Sequence, residues 1–597
     1  MTFIFQYRAY DSILSNDVST GHLLHDAGNR PDKKFHHIKD LDKFFKNVYV
    51  FHQSDGFFCL ALKTFLQVFQ IIFIISFIFI LRYCINYAEI FSNTADSHRP
   101  WSVIWNHNCK SNFRQASLYE KSIFITFLFY FIYRFIKAWR FVLNMIFIKD
   151  FYESCLDIPS KNIRNFKWNG PNGIQERLLS TQRRIKFCIQ KEELFELDIY
   201  QRILRFKNYQ IALYNKQLMP SITLPFLGEI NYLSILLKFN YELLFFKPQF
   251  GLFETTHCLK PEIKLTGSKS TAIANLEYNI ILLSCLNLIF LPFTLVFQLI
   301  YTFFTYADLI KTEPDIFGKR RWTEYSKLQL RHFNELDHEF QDRLARAHKP
   351  ATKYLDSFKN PSLIVVAEHF SFISGAILAV MISLTVYDED VLKIEHALTV
   401  IGGLTAVVGV LRTMIPKDDE IICPNTYMKL LIQQIHYLPF DWKDKAHTDE
   451  VRSKLDKLFQ LRALHIIEEL LSPLLVPYIL FFKLRPKAEE IINFFSKYTS
   501  SVPGVGDVCT YSLMDVDNND QSYQNSRHSG SVSDPADGKL EKSLLRFSVS
   551  NPGWQHGNLS TRNWLANNAF KEAHRSGDSS ERELREILGS DSTILDF

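Results

Sequence analysis

Apolar positions fall in long runs separated by charged stretches, the pattern of membrane-embedded helices joined by segments that face water. From Thr64 to Leu81 the chain carries no charge. That is about 18 residues, just enough to cross a hydrocarbon core of ~30 Å. A second run, Ser122–Ile148, is interrupted by Arg134, Lys137 and Arg140. A third, Asn279–Tyr306, holds Asn287, Pro292 and Gln298. Two more, Pro361–Tyr387 and His396–Met414, are separated only by the acidic stretch Asp388-Glu389-Asp390 and its neighbours. Leu470–Phe482 is apolar but too short to span, and Pro473 and Pro477 are expected to break it. Between these runs, Ile199, Ile203, Phe206 and Leu213 recur at helical spacing and predict a surface helix over 191–218. Phe333, Leu336, Phe340 and Leu344 mark another. From about Asp515 the chain is rich in Ser, Asn, Asp and Gly and reads as disordered, with a short amphipathic helix at 579–589.

Flanking charge orients the runs. Lys349, Lys353 and Lys359 lie at one end of the last hairpin and the acidic loop 388–395 at the other, so that loop is expected in the lumen. Asn279–Tyr306 has Lys264 and Lys269 before it and Lys311, Lys319, Arg320 and Arg321 after it. A segment with cytosolic charge on both flanks enters and leaves on the same side, and its internal Pro and Asn suit a re-entrant hairpin. The same logic covers Leu470–Phe482. The expected fold is mainly α: four spanning helices, two re-entrant segments, and cytosolic helices. Residues 1–60 form a cytosolic N-terminal region, and 61–148 the first two spans with a lumenal loop at 82–121. Cytosolic helical regions follow at 149–278 and 307–360, on either side of the re-entrant segment 279–306. Residues 361–415 carry the last two spans, 416–514 a helical region with the re-entrant segment 470–482, and 515–597 a cytosolic tail.

Composition refines this. Hydrophobic residues make up 47% of 597, yet mean hydropathy is near zero, so the chain divides between bilayer and water. The 53 Phe and 26 Tyr suit lipid contact and the interface. A net charge of +5 gives no strongly basic nucleic-acid class. Nine scattered Cys without a CxxC pair argue against zinc and against a disulfide scaffold; whether Cys84 and Cys109 pair is left open. The first long apolar run lies too deep for a signal peptide.

Arg134, Lys137 and Arg140 are the most informative residues, because a cation near mid-bilayer costs at least ~2.5 kcal/mol and normally faces a wet cavity or a partner. Two readings account for them: snorkelling anchors at the cytosolic end of a short span, or a basic groove that holds phosphate headgroups. Arg412 sits near the cytosolic end of the last span, and Glu368 and His369 early in the third. Small residues at four-residue spacing, Ser371, Gly375 and Ala379, then Gly402 and Ala406, suggest close helix packing. Gly504-Val505-Gly506-Asp507 is read as a turn, since no Gly-Lys-Ser/Thr follows it. There is no Gly-x-Ser-x-Gly elbow and no His-Glu-x-x-His helix. His332 and His338 on a charged segment are read as hydrogen-bonding groups, with no metal and no cofactor expected. Tyr10 and Ile13 have the form of a tyrosine-based sorting signal.

Several strings together resemble the autophagy-related protein 9 family: Leu330-Arg-His-Phe-Asn-Glu-Leu-Asp-His-Glu339, Tyr387-Asp-Glu-Asp-Val-Leu392, His436-Tyr-Leu-Pro439 with Trp442, Glu468-Glu-Leu-Leu-Ser-Pro473, and Gly504–Asp507 with Met514-Asp-Val516. Upstream, His36-His37 with Leu41-Asp42, and Glu196-Leu-Asp-Ile-Tyr200 with Arg202–Phe206, also match. The resemblance spans roughly 35–517. It implies a domain-swapped homotrimer with four spanning helices and two partially inserted segments. It also implies an energy-independent phospholipid scramblase on Golgi- and endosome-derived vesicles that supply the autophagosome. The implied partners are an autophagy-related protein 2 type lipid-transfer protein and the autophagy initiation-kinase complex. The family's lipid-path residues carry over to Lys311 and Glu313, with Thr312 where Arg is usual, and to Arg412, with Gly409 where Thr is frequent. No bond-making or bond-breaking chemistry is expected. The alternative functions are a membrane scaffold that recruits partners through its cytosolic helices and tail, and an ion channel.

Overall fold

The computed structural model describes residues 35–87 (without 37 and 39), 105, 109–188, 191, 193–224, 228–312, 318–358, 361–388, 396–415, 423–435, 442, 444–515, 538–557, 561–562 and 565. It is mainly helical and divides into two compact units, Thr2–Leu194 and Phe195–Phe597. Tyr10, Ile13, most of the 388–395 loop and the stretch 579–589 lie outside the described residues.

In the first unit, helix α1 (Leu41–Gln53) begins at Asp40, whose carboxylate accepts the Lys43 N–H at 3.0 Å. Its Phe44 meets Phe151 edge-on at 4.9 Å, and the Tyr152 hydroxyl donates to Val48 O at 2.9 Å. Helix α2 (Phe57–Phe79) widens into a π-turn over Ile80–Cys84. Helix α3 (Cys109–Gln115) leads to α4 (Leu118–Ser154), capped by the Ser117 hydroxyl on Glu120 N–H. A short α5 (Ile174–Thr181) completes the unit. Helices α2 and α4 pack together, and α2 buries one stripe, Leu60, Thr64, Val68 and Ile74. Phe58, Phe65, Phe69 and Phe73 point outward and are exposed, as a lipid-facing surface requires. Cys84 and Cys109 form a disulfide with Cα atoms 4.8 Å apart. Thus the nine cysteines do include a bridge, which pins the polar connection between α2 and α4.

The second unit is built around α6 (Glu196–Asn215), whose residues are buried on nearly every side. The amphipathic surface helix expected over 191–218 is therefore a central one, because the unit supplies partners for its polar face as well. A hairpin of β1 (Ile222–Leu224) and β2 (Gly228–Ile230) precedes α7 (Ile235–Phe246), α8 (Pro261–Lys264) and α9 (Lys269–Ile289). The apolar run 279–306 is split at Phe290 between α9 and α10 (Leu291–Thr312), where Pro292 lacks the N–H that would continue α9. Strand β3 (Arg320–Trp322), α11 (Glu324–Gln329) and α12 (Asp337–Asp356) follow, then the apolar pair α13 (Pro361–Tyr387) and α14 (Ala397–Met414). The chain continues through α15 (Pro424–Gln434), α16 (Asp449–Leu458), β4 (Phe459–Leu461, antiparallel to β3) and α17 (Arg462–Tyr478). The last elements are α18 (Ala488–Lys497), the hairpin of β5 (Thr499–Val502) and β6 (Gly506–Cys509), and α19 (Lys539–Ser550).

Two expectations are corrected here. Helix α17 runs unbroken through Pro473 and Pro477. An interior proline costs about 3 kcal/mol in an isolated helix. Here both prolines are buried, α7, α9 and α10 pack on α17, and the Ser284 hydroxyl donates to Pro477 O at 2.9 Å. The tail is not uniformly disordered either: α19 buries Leu540, Leu544, Leu545 and Phe547.

Among the described residues five helices are long and apolar enough to cross a membrane: α2 with its π-turn, α4, α9, α13, and α17 continued to Lys497. Helices α10 and α14 are apolar but shorter.

Candidate functional site

Arg134 and Lys137 sit on the buried side of α4, 7% and 9% exposed, whereas Arg140 is exposed. The three cations therefore do not share one face. Each three-residue step falls about 60° short of a full turn, so Arg140 has drifted about 120° from Arg134. Lys137 Nζ lies 5.6 Å from the Tyr133 ring centre.

Two contacts set the antiparallel register of α2 and α4. Lys149 Nζ is 6.0 Å from the Phe57 ring, and Arg82 pairs with Glu120 at 2.8 Å. Arg134 is 15 residues from one marker and 14 from the other, so it stands about 22 Å from each at 1.5 Å per residue. The markers are themselves about 44 Å apart along α4, close to the ~40–45 Å of a bilayer with its headgroup layers. Arg134 thus stands midway between the two markers along α4. The same register puts Gln67 of α2 between the levels of Phe135 and Trp139. Its Nε2 is buried and has no hydrogen-bond partner among the described residues. Gln67 escaped the sequence reading because one amide in an apolar run gives no periodic signal.

The other candidates belong to the second unit. Arg412 is exposed near the end of α14. Lys311 closes α10, and the side chains of Lys311 and Glu313 lie outside the described residues. His369 is exposed, its Nδ1 2.8 Å from Val365 O of its own helix. Ser371, Gly375 and Ala379 on α13, and Gly402 and Ala406 on α14, are partly or fully exposed. A Cβ added at Gly375 or Gly402 would meet nothing within 4 Å among the described residues. The close approach expected at these glycines is not made among the described residues.

The strings that carried the resemblance form a buried polar lattice. Arg343 grips the Glu335 carboxylate with two bonds at 2.9 and 2.8 Å and donates to Leu330 O at 2.7 Å. Asn334, at φ 53°, accepts from Asn208 at 2.7 Å. Burial alone would raise the Asp337 carboxyl, but the Lys207 and Arg331 cations outweigh it and hold it well below the usual range. Arg202 and Arg205 donate to carbonyls of the 504–507 turn, Arg205 to Val505 O at 2.7 Å. His332 is buried, its backbone N–H on Glu335 at 3.0 Å. Among the described residues no group of three or more His, Cys, Asp or Glu is placed to hold a metal ion.

The profile of the family described as Autophagy protein ATG9 matches residues 33–515. The chain belongs to the ATG9 family. It is similar to human Autophagy-related protein 9A, 40% identical over 544 residues covering 88% of this chain and 64% of the relative. Human Autophagy-related protein 9B is 37% identical over 545 residues, 87% of this chain and 58% of the relative. The chain therefore spans less than two thirds of the length of these curated relatives. The cryo-EM structure of Schizosaccharomyces pombe Atg9 superposes with a TM-score of 0.59 at 24% identity, covering 80% of this chain and 99% of that one, a likeness of fold. Within an ATG9 fold the shared strings are thus explained by architecture: Arg343–Glu335, Asn208–Asn334 and the 504–507 turn hold α6, α12 and the β5–β6 hairpin together.

Proposed function

We propose that this chain is an energy-independent phospholipid scramblase, in which headgroups slide along a hydrated basic surface while the acyl tails stay in lipid. The observation that supports the reading is the burial of Arg134 and Lys137 on the inward side of α4, within a long apolar run. The barrier to lipid flip-flop is desolvation of the headgroup, and a phosphate entering low dielectric gains from each weakly screened cation nearby. Lys311 and Arg412, in the second unit, are proposed as further basic contacts for headgroups. The working form is a homotrimer with cytosolic termini, acting on Golgi- and endosome-derived vesicles and at the growing autophagosome. An autophagy-related protein 2 type lipid-transfer protein and the initiation-kinase complex are its partners. The disulfide Cys84–Cys109 supports a lumenal 82–121 loop, since such bonds persist in oxidising compartments.

The test is reconstitution into liposomes with fluorescent lipid in both leaflets. Wild-type protein is expected to make the outer and inner pools equally accessible to a membrane-impermeant quencher. The Arg134→Leu/Lys137→Leu variant is expected to slow this at least tenfold at matched trimer content. Wild-type rates in that variant would leave these cations without a role in lipid transfer. Fast chloride flux without lipid movement would mark an anion pore instead.

A further inference from the structure

The first unit carries a set of exposed cations that plays no part in the reading above. They lie on the segment 160–187, which follows α4 and folds back onto the foot of α2 and α4. Three contacts set the level of its first part. Arg164 donates to the Asp55 carboxylate at 3.0 Å, and the His52 Nε2 is 2.8 Å from Phe166 O. A Cβ at Gly56 would lie 3.0 Å from Ser160 O. The short turn Ser160–Asn165 is therefore packed on the residues just before Phe57, where the apolar helix α2 begins. Phe58, the next residue, is 76% exposed, as the start of a lipid-facing surface requires. Lys161, Arg164 and Lys167 are exposed on this turn and just after it.

The second part is held close to the same level. The Phe187 ring is 6.0 Å from that of Phe151, and Arg184 donates to Cys155 O at 2.9 Å. These anchor points are two and six residues past Lys149, the neighbour of Phe57, so they stand about 3 and 9 Å beyond it along α4. Arg183, Arg184 and Lys186 are exposed here. A headgroup layer is about 5–8 Å deep on each side of the hydrocarbon. The long stems of Lys and Arg bring all six cations to headgroup phosphates from these positions.

The acids of the same surface do not neutralise them. Over residues 149–187 there are eight Lys and Arg against Asp150, Glu153, Asp157 and Glu176, and Asp55 adds a fifth acid. Asp55 is met by Arg164, and Glu153 lies 3.9 Å from Lys149 and accepts the Ser160 hydroxyl at 3.0 Å. Glu176 accepts the Asn172 N–H, Asp150 is half-buried and Asp157 is exposed. Among the described residues Lys161, Lys167, Arg183 and Lys186 have no carboxylate within 4 Å. The positive-inside rule accounts for the sign of these residues but not for a fold that fixes them at one level. Clustered cations next to a spanning helix attract anionic lipid.

We propose that this face is a contact site for anionic phospholipids and enriches them around the foot of α2 and α4. A phosphocholine headgroup cancels its own phosphate charge, whereas phosphatidylserine keeps a net negative charge for the lysines and arginines to attract. The inference requires α2 and α4 to cross the bilayer and does not depend on lipid transfer. Full-length protein is reconstituted into phosphatidylcholine liposomes that carry a trace of spin-labelled phosphatidylserine or spin-labelled phosphatidylcholine in both leaflets. Electron paramagnetic resonance reads the fraction of each label immobilised at the protein. The phosphatidylserine label is expected to associate at least twofold more strongly at low salt, with the excess shrinking at high salt. Lys161→Gln/Lys167→Gln/Arg183→Gln/Lys186→Gln, all at exposed positions, is expected to lose at least half of the excess with unchanged elution on gel filtration. Arg134→Leu/Lys137→Leu is expected to keep it, which separates this face from the proposed transfer path. Equal association of the two labels would overturn the proposal. So would an unchanged excess in the quadruple variant, or an excess lost only in Arg134→Leu/Lys137→Leu.

Discussion

Gly506 has a left-handed φ of +97°, and a Cβ there would lie 2.5 Å from His257 O, closer than any contact allows. Its neighbour Asp507 is 2% exposed, donates its N–H to His257 O at 2.8 Å, and takes bonds from Leu259 N and Lys264 Nζ at 2.7 and 2.8 Å. Gly506→Ala therefore combines backbone strain with a clash and is expected to cost roughly 3 kcal/mol or more. The check is the apparent melting temperature of the detergent-purified protein, with Gly538→Ala as a control: Gly538 is left-handed too, but only a flexible Glu541 oxygen at 3.8 Å faces it. Glu324 provides a pH signature. Burial would raise its carboxyl, but Lys327, Lys238 and Arg321 outweigh burial and bring it to about 2. A depressed carboxylate stabilises the fold above its unfolded value of 4.5 and loses that contribution as pH falls towards 2. The contribution is roughly 3 kcal/mol at neutral pH. Glu324→Gln is expected to lower stability at pH 7 and to flatten its decline between about pH 4.5 and 2. A parallel decline in both proteins, followed by tryptophan fluorescence, would assign the acid sensitivity elsewhere.

Helix α4, 37 residues and about 55 Å long, serves two environments at once. Its lower turns bury Phe141, Met145, Ile148 and Phe151 against protein, while its upper turns expose Leu128, Phe129 and Ile132. Cations at one three-residue spacing consequently have different fates. Arg140→Leu is expected to leave liposome scrambling within twofold of wild type, whereas Arg134→Leu alone slows it severalfold; equal effects would remove the distinction between inward and outward faces. The disulfide closing the α2–α4 connection spans 25 residues. Its loss in Cys84→Ser/Cys109→Ser is expected to cost about 3 kcal/mol. In sealed vesicles a maleimide–polyethylene glycol reagent should shift Cys84 and Cys109 only after reduction and permeabilisation. The tail helix α19 seats Phe547 on Tyr200 at 5.0 Å, and Lys539 donates to Gln329 O at 2.7 Å. Its anchoring residues lie beyond the reach of the family profile, which ends at residue 515.

Across the whole chain, α13 and α14 leave large apolar side chains outside, among them Phe370, Phe372, Val380, Leu398 and Val410. Such surfaces are stable only against lipid or another subunit. A homotrimer is expected, and mass photometry of detergent-purified protein should find three copies per particle; a purely monomeric sample would overturn it and leave these apolar faces to lipid alone. What the sequence by itself determined was whatever depends on neighbours along the chain. The membrane class follows from uninterrupted apolar runs, the split at Pro292 from a missing N–H, and family membership from short strings such as Leu330–Glu339. What depends on residues far away was decided by the tertiary structure. Pro473 and Pro477 remain helical because packing on that helix outweighs a local penalty. Helix α6 is central, not superficial, because partners such as Asn334 and the 504–507 turn, more than a hundred residues on, satisfy its polar side chains. Cys84 meets Cys109, and α19 orders within a polar tail, for the same reason. The level of Arg134 against α2 needed a register, set by Phe57 with Lys149 and Arg82 with Glu120. Spacing along one helix fixes an angle around its axis, but only a second helix packed beside it defines which angle faces inward.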